Sequence, residues 1–494
     1  MDKEPRIRIP QEVYQFFTNP GGHSLIVRGN AGTGKTTFAL QTIEELAAIE
    51  KSFYHSTRVS DMSLLTQFGW LKDKMEGIER SDSFADLHQG QRAGPSVKRI
   101  GLSNLKGIKS APLEIAKGGE LAISIGKDLG ELEGLYRGIE KNLPDKSLVV
   151  IDSIDALAEK YNLTCSKLLS TIQYDIVEGY GSNVLFVLEN SNIDLDYLGD
   201  GVINFSCAEY NRRRLRELEI LKLRGCEIQQ PKYIFTLDGG RIQTFGYQRI
   251  KESQLPRSQW APLEDSPDRV STGIRDLDGC LSGGLEKGSI ALIELGHGVP
   301  TTVSWAIETA LVSNFIAQRR GVLWVPMRKA SSEAVRARIT QAVPEDDFDR
   351  FVRIPEKADQ MTNAGAPYVL PIEGANAFSD FKWQNIEYSL AEAKKPLLAM
   401  MGFDTMQSLY GNDLCDQLMD FLALVRRNNG VFVALTPPSA SSNSRLADLA
   451  TTRLKIDRIG GTVLLYGEEP FTECYALHFE KKEVGGSVSL TPVL

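Results

Sequence analysis

The sequence is poor in the residues from which metal clusters and disulfide frameworks are built. It has 6 cysteines and 5 histidines among 494 residues. The cysteines, at 165, 207, 226, 280, 415 and 474, form no CxxC pair. That argues against zinc and disulfides and for a reducing compartment. The histidines are dispersed as well, so a metal cluster has no candidate ligands. Long apolar runs are missing: none approaches the ~18 residues of a membrane span. The opening MDKEPRIRIPQEV has no signal-peptide apolar region. A cytoplasmic protein without membrane contact is the expectation. An excess of positive charge is missing too. Lys and Arg number 56 against 64 Asp and Glu, a net charge of −8. A general nucleic-acid binder is usually basic, so nucleic acid is not an expected partner.

What is present is an alternation of short β-branched runs with longer stretches of helical period. Such alternation is the pattern of a mostly parallel sheet covered by helices on both faces. It occurs twice. Between the two halves lies 252–268, ESQLPRSQWAPLEDSPD, polar and with three prolines, which reads as a linker. The expected division is therefore 1–251, a linker 252–268, and 269–494. In the first half the strand candidates are 24–29, 51–56, 147–152, 183–189, 216–225 and 232–240, the last ending in a hairpin-type Asp-Gly-Gly. In the second they are 289–295, 321–327, 396–404, 430–436, 462–468 and 475–483. The matching order reads as an old duplication.

After the first strand comes GNAGTGKTT, comprising Gly29, Asn30, Ala31, Gly32, Thr33, Gly34, Lys35, Thr36 and Thr37. It fits GxxxxGK[ST] without mismatch. The glycines let the backbone wrap so that N–H groups point at phosphate oxygens. Lys35 supplies positive charge to the same oxygens, and the Thr36 hydroxyl is suited to ligate Mg²⁺. The following helix adds its positive end. ATP and Mg²⁺ are the expected ligands. The apolar run SLVVID ends in Asp152, placed to hold the metal through water. Asp155 is a helix cap or a lesser alternative for the metal.

The strings GGHSLIVRGNAGTGKTTFALQTI, VVIDSIDAL, LGDGVINF and RRRLRELEILKLRGCEIQQPKYIFTLDGGRIQTFG, in this order, resemble the KaiC/RadA branch of the RecA superfamily. STGIRDLDGCLSGGLEKGSIALIEL resembles the opening of a second such domain. The resemblance implies tandem RecA-like domains. One intact loop, the string STRVSDM and an arginine-rich segment are similar to the archaeal gas-vesicle regulatory proteins of the GvpD type. Laid on the family pattern, the second-half loop ELGHGVPTTV keeps Gly298 and Thr302. Pro300 replaces the last glycine, and Thr301 replaces the lysine. Pro300 removes an N–H and fixes φ, so this half is not expected to bind ATP tightly. Asp404, which ends PLLAMMGFD, falls where the metal aspartate would be.

In the KaiC/RadA pattern, glutamates after the second strand activate the attacking water. The stretch FYHSTRVSDM has none, and Glu189 is the carboxylate that stands in as candidate base beside Asp152. Hydrolysis is expected to be slow or absent, since a missing base reduces rates by roughly 10²–10⁴. The resemblance implies that Lys222 and Arg224, two apart on one strand face, reach the ATP of a neighbouring subunit in a homo-oligomer. It also implies that Arg212, Arg213, Arg214 and Arg216, expected just before that strand, contact a regulatory protein such as a transcription activator. The other view of this run is a solvated charged turn. Three functions are compatible: an ATP-dependent repressor of gas vesicle synthesis, a slow KaiC-like ring ATPase, and a RadA-like recombination factor. The acidic charge disfavours the third.

Overall fold

The computed structural model describes residues 8–57, 61–70, 78–80, 130–189, 193–246, 259–327, 330–359, 361, 365–479 and 488–494. The chain divides into two compact units, residues 1–246 with Leu494, and residues 247–493.

In the first unit the described strands are β1 (Ser24–Gly29), β2 (Lys51–Ser56), β3 (Ile78–Arg80), β4 (Ser147–Asp152), β5 (Asn183–Val187), β6 (Gly201–Tyr210), β7 (Arg213–Leu223), β8 (Lys232–Thr236) and β9 (Gln243–Phe245). They form one sheet in the order β3-β2-β4-β5-β1-β6-β7-β8-β9. From β3 to β6 every pairing is parallel, and from β6 to β9 every pairing is antiparallel. The central parallel strands β1, β4 and β5 carry continuous apolar stretches because both faces are covered. Leu25, Val27, Leu148, Val150, Leu185 and Val187 belong to one core layer. Ile26, Val149, Ile151, Val184 and Phe186 belong to the other. This is the period-two alternation of a strand with apolar side chains on both sides.

The second unit carries a two-stranded pair, β10 (Arg269–Val270) with β11 (Leu285–Glu286). Its main sheet comprises β12 (Ser289–Leu295), β13 (Arg320–Val325), β14 (Val352–Lys357), β15 (Val369–Ile372), β16 (Lys394–Gly402), β17 (Val431–Thr436), β18 (Thr452–Ile459), β19 (Thr462–Glu469), β20 (Cys474–Phe479) and β21 (Val488–Val493). The order is β15-β14-β13-β16-β17-β12-β18-β19-β20-β21. With β15 as the addition, this repeats the first sheet strand for strand, with β12 in the place of β1. Two mostly parallel sheets with helices on both faces are the expected class.

Some boundaries differ from the sequence expectation. β7 begins at Arg213, so most of the arginine run lies within the strand rather than before it. β6 and β18 were not among the expected strands. The burial of β18 alternates between buried and half-exposed residues. Such strands, with one wet face, lack the continuous apolar run that marks their parallel neighbours. Of the stretch 252–268, residues 252–258 lie outside the described residues. The remainder packs within the second unit, where Trp260 is buried and its indole Nε1 donates to Asn314 Oδ1 at 3.3 Å.

Candidate nucleotide site

β1 ends at Gly29, and the helix Lys35–Leu46 starts six residues past it. Two glycines make the loop possible. Gly29 has φ +146°, and a Cβ there would lie 2.2 Å from the Phe205 carbonyl oxygen of the adjacent strand. Gly34, the residue before the helix, has φ 108° and offers no side-chain cap. The first N–H groups of this helix therefore carry no side-chain acceptor from the cap position, the arrangement that suits an anion. Lys35 is buried and donates from Nζ to the carbonyl oxygens of Gly29 and Asn30, both at 2.8 Å. Its ammonium is folded into the loop it would serve.

Thr36 and Asp152 meet as expected. Thr36 Oγ1 donates to Asp152 Oδ2 at 2.7 Å. Donating leaves the hydroxyl lone pairs for a metal, so the loop, hydroxyl and carboxylate fit Mg²⁺ bound with a nucleotide. Burial raises the Asp152 pKa above its ordinary value, opposed by the Thr36 and Tyr54 hydroxyls and by the Lys35 charge; the charge of Glu189 reinforces the rise. Glu189, the candidate base, stands just beyond β5. Its backbone N–H donates to Asp155 Oδ2 at 2.6 Å. Asp155 lies inside the first turn of the helix Ile154–Lys160, whose cap is Ser153. It is not the cap expected from sequence, and ties the exit of β5 to this helix.

The structure adds three residues that sequence reasoning did not single out for this site. Tyr54 in β2 donates from its hydroxyl to Asp152 Oδ2 at 3.1 Å. Thr57 stands just after β2. Its Oγ1 accepts from the Ser153 N–H at 3.0 Å, and its backbone N–H donates to the Asp152 carbonyl at 2.9 Å. The segment after β2 thereby clamps the backbone at the aspartate. Arg58 in that segment lies outside the described residues, as do the side chains of Asp61 and Met62. Arg216 donates from Nη1 to the Gly32 carbonyl at 3.0 Å, reaching the phosphate loop of its own chain. Burial and the nearby Arg214 lower its pKa.

The four arginines therefore separate. Arg213 and Arg216 are buried, at 2% and 8% exposure. Arg212 and Arg214 are exposed. Asn211 and Arg212 have φ of 47° and 64°, forming the two-residue turn that joins β6 to β7. A contact surface across all four residues is not what the fold presents; two of them point inward. At the far end of β7, Lys222 Nζ donates to the Gly199 carbonyl at 2.6 Å, and Arg224 Nη1 donates to Asp200 Oδ1 at 3.0 Å. Burial and the nearby Arg224 lower the Lys222 pKa.

The second unit repeats the setting without the chemistry. Its corresponding helix, Thr301–Ala317, follows Pro300 at φ −63°, where Gly34 has φ 108°. A proline ring cannot take up the positive φ that closes the intact loop. The Asp457 carboxylate also lies against this loop: a Cβ on Gly296 would fall 1.9 Å from Asp457 Oδ1. A carboxylate there repels phosphate. Strand register locates the counterpart of Asp152. Asp152 pairs with Val187, which pairs with Val27 of β1. Gly402 pairs with Leu435, which pairs with Ile293 of β12. Gly402 occupies the place of Asp152. Asp404, expected in that place, lies two residues later in the first turn of the helix Phe403–Tyr410.

Comparison with known proteins agrees with this geometry. Residues 13–222 match the GvpD gas vesicle protein P-loop domain. Residues 259–357 match GvpD basic region 2. The chain is GvpD-like. Protein GvpD1 of Halobacterium salinarum is 24% identical, with 99% of this chain and 97% of that protein covered. Protein GvpD2 of the same organism is 25% identical, over 98% and 96%. The circadian clock oscillator protein KaiC of Acaryochloris marina is 26% identical over 60% of this chain and 51% of its own length. The GvpD-like chain is thus a KaiC-related P-loop protein of tandem RecA-like α/β units. Among its described residues no helix is long and apolar enough to cross a membrane.

Proposed function

We propose that this chain is an ATP-dependent regulator that represses gas vesicle synthesis. In this reading it binds one Mg·ATP per chain in the first unit and acts through a protein partner such as a transcription activator. The observation that carries it is the asymmetry of the two units. One phosphate loop keeps Lys35 and the Thr36–Asp152 pair; its counterpart has Pro300, Thr301 and Gly402. Such a chain reports nucleotide at one site and keeps the second unit for its surface. Glu189 is the candidate base, and turnover is slow or absent. The protein works in the cytoplasm, and nucleic acid is not its target.

The relation to KaiC favours a second reading, a slow ring ATPase in which Lys222 and Arg224 serve a neighbouring subunit's nucleotide. One experiment separates the two. ATP binding and steady-state hydrolysis are measured for the wild type and Lys35→Ala over a range of protein concentrations. Binding of one ATP per chain, lost in Lys35→Ala, with negligible turnover at every concentration, supports the regulator. Turnover per chain that climbs with concentration supports the ring. No ATP binding by the wild type removes both.

A further inference from the structure

We infer that Tyr54 is a positioning residue of the metal site, acting through Asp152 to set how the nucleotide site responds to Mg²⁺. This rests on the reading that the first unit binds Mg·ATP.

Thr36 and Tyr54 both donate to the same oxygen of Asp152, at 2.7 and 3.1 Å. They come from different elements on the same face of the sheet. Thr36 stands at the start of the helix after the loop, while Tyr54 comes from β2, the strand beside β4. Two donors on one oxygen restrict rotation of the carboxylate and stabilise its charged form in a buried place. The Thr36 hydroxyl must serve Asp152 and the metal together. The Tyr54 hydroxyl has no metal duty, so it holds the carboxylate whether or not the cation is present. Tyr54 is 8% exposed and otherwise packs in the apolar layer on that face of the sheet.

The second unit supplies an internal comparison. Tyr54 pairs with Val150, two residues before Asp152. Trp324 pairs with Met400, two residues before Gly402. Trp324 is therefore the counterpart of Tyr54 in the unit whose metal aspartate is gone. Its indole N–H turns instead to Glu308 Oε2 on the helix Thr301–Ala317, at 3.0 Å. An aromatic donor persists at this strand position in both units. It meets the strand-end aspartate in the unit that retains one.

The test is titration of a fluorescent ATP analogue into the full chain at graded Mg²⁺, and in EDTA, for the wild type, Tyr54→Phe, Asp152→Asn and the double variant. Thermal melts accompany each. Loss of one hydrogen bond to a carboxylate is expected to raise the Mg²⁺ concentration for half-maximal effect by roughly tenfold. Affinity in EDTA stays at the wild-type value. In the Asp152→Asn background, adding Tyr54→Phe causes no further change, because the hydroxyl acts through the carboxylate. The inference is overturned if Tyr54→Phe follows the wild-type Mg²⁺ curve. It is equally overturned if affinity falls by the same factor with and without Mg²⁺ alongside a lowered melt, the mark of a packing role. A wild type that binds no nucleotide overturns the proposed function and this inference together, whereas the other two outcomes leave the proposed function standing.

Discussion

Glu308 offers a test of how the second unit is built. It lies on the helix Thr301–Ala317 and is 2% exposed. Burial raises its pKa from 4.5 to about 7, against the Trp324 hydrogen bond, the Arg338 charge and the Met327 N–H, with the Asp404 charge adding to the rise. Between about pH 4.5 and 7 the unfolded chain has released a proton that the folded chain still holds. Stability therefore falls as pH rises through that window and is level above it. A gap of about 2.5 pH units at about 1.4 kcal/mol each comes to about 3 kcal/mol. Glu308→Gln keeps an acceptor for Trp324 and removes the ionisation. At pH 5 the variant and wild type should melt together. At pH 8 the variant should melt higher, by about 6–12 °C at about 2–4 °C per kcal/mol. Scanning calorimetry from pH 5 to 8.5 reads this directly. A difference between the two proteins that stays constant across that range would falsify the reasoning, because a neutral packing effect has no pH dependence.

Three further outcomes are expected. Arg212→Gly should stabilise the first unit by about 1 kcal/mol in urea unfolding, because Arg212 holds a left-handed φ that glycine adopts without strain; an unchanged midpoint would count against the turn. Pro300→Gly combined with Thr301→Lys should leave nucleotide stoichiometry at one per chain by calorimetric titration, since Gly402 supplies no carboxylate and Asp457 lies against the loop. A second equivalent of bound ATP would show that the loop alone had been limiting. Arg216→Ala should weaken ATP binding about tenfold, the effect of losing a charged hydrogen bond of ~1.4 kcal/mol at the phosphate loop, while exposed Arg214→Ala does not. Equal effects of the two would return the arginines to a common surface role.

Much of the fold was legible because its parallel strands are buried on both faces. SLIVRG, SLVVID and SIALIEL each contain an unbroken apolar run, and the observed strands match the expected segments end to end. The strands leading into the antiparallel extensions were harder to read, since one wet face breaks the run, as in the alternating burial of Thr452–Ile459. The core of the site was legible for a different reason. Gly29 to Thr36 are contiguous, so their chemistry is local, and Asp152 closes an apolar strand beside them. Tyr54, Thr57 and Arg216 were not legible as site residues. Each reaches the site only through neighbouring strands or the return of a hairpin, and no local spacing records which residue faces Asp152 or Gly32.

The sequence by itself determined which of the two loops can close before its helix and which cannot. A positive φ before the helix is open to Gly34 and closed to Pro300 whatever surrounds them. Tertiary structure decided what each charged group is for. It turned Arg213 and Arg216 inward while leaving Arg212 and Arg214 exposed, and made Asp155 a tie rather than a cap. Through strand register it put Gly402, and not Asp404, in the place of Asp152. A backbone angle is a property of one residue, whereas the role of a charge depends on which other parts of the chain fold against it.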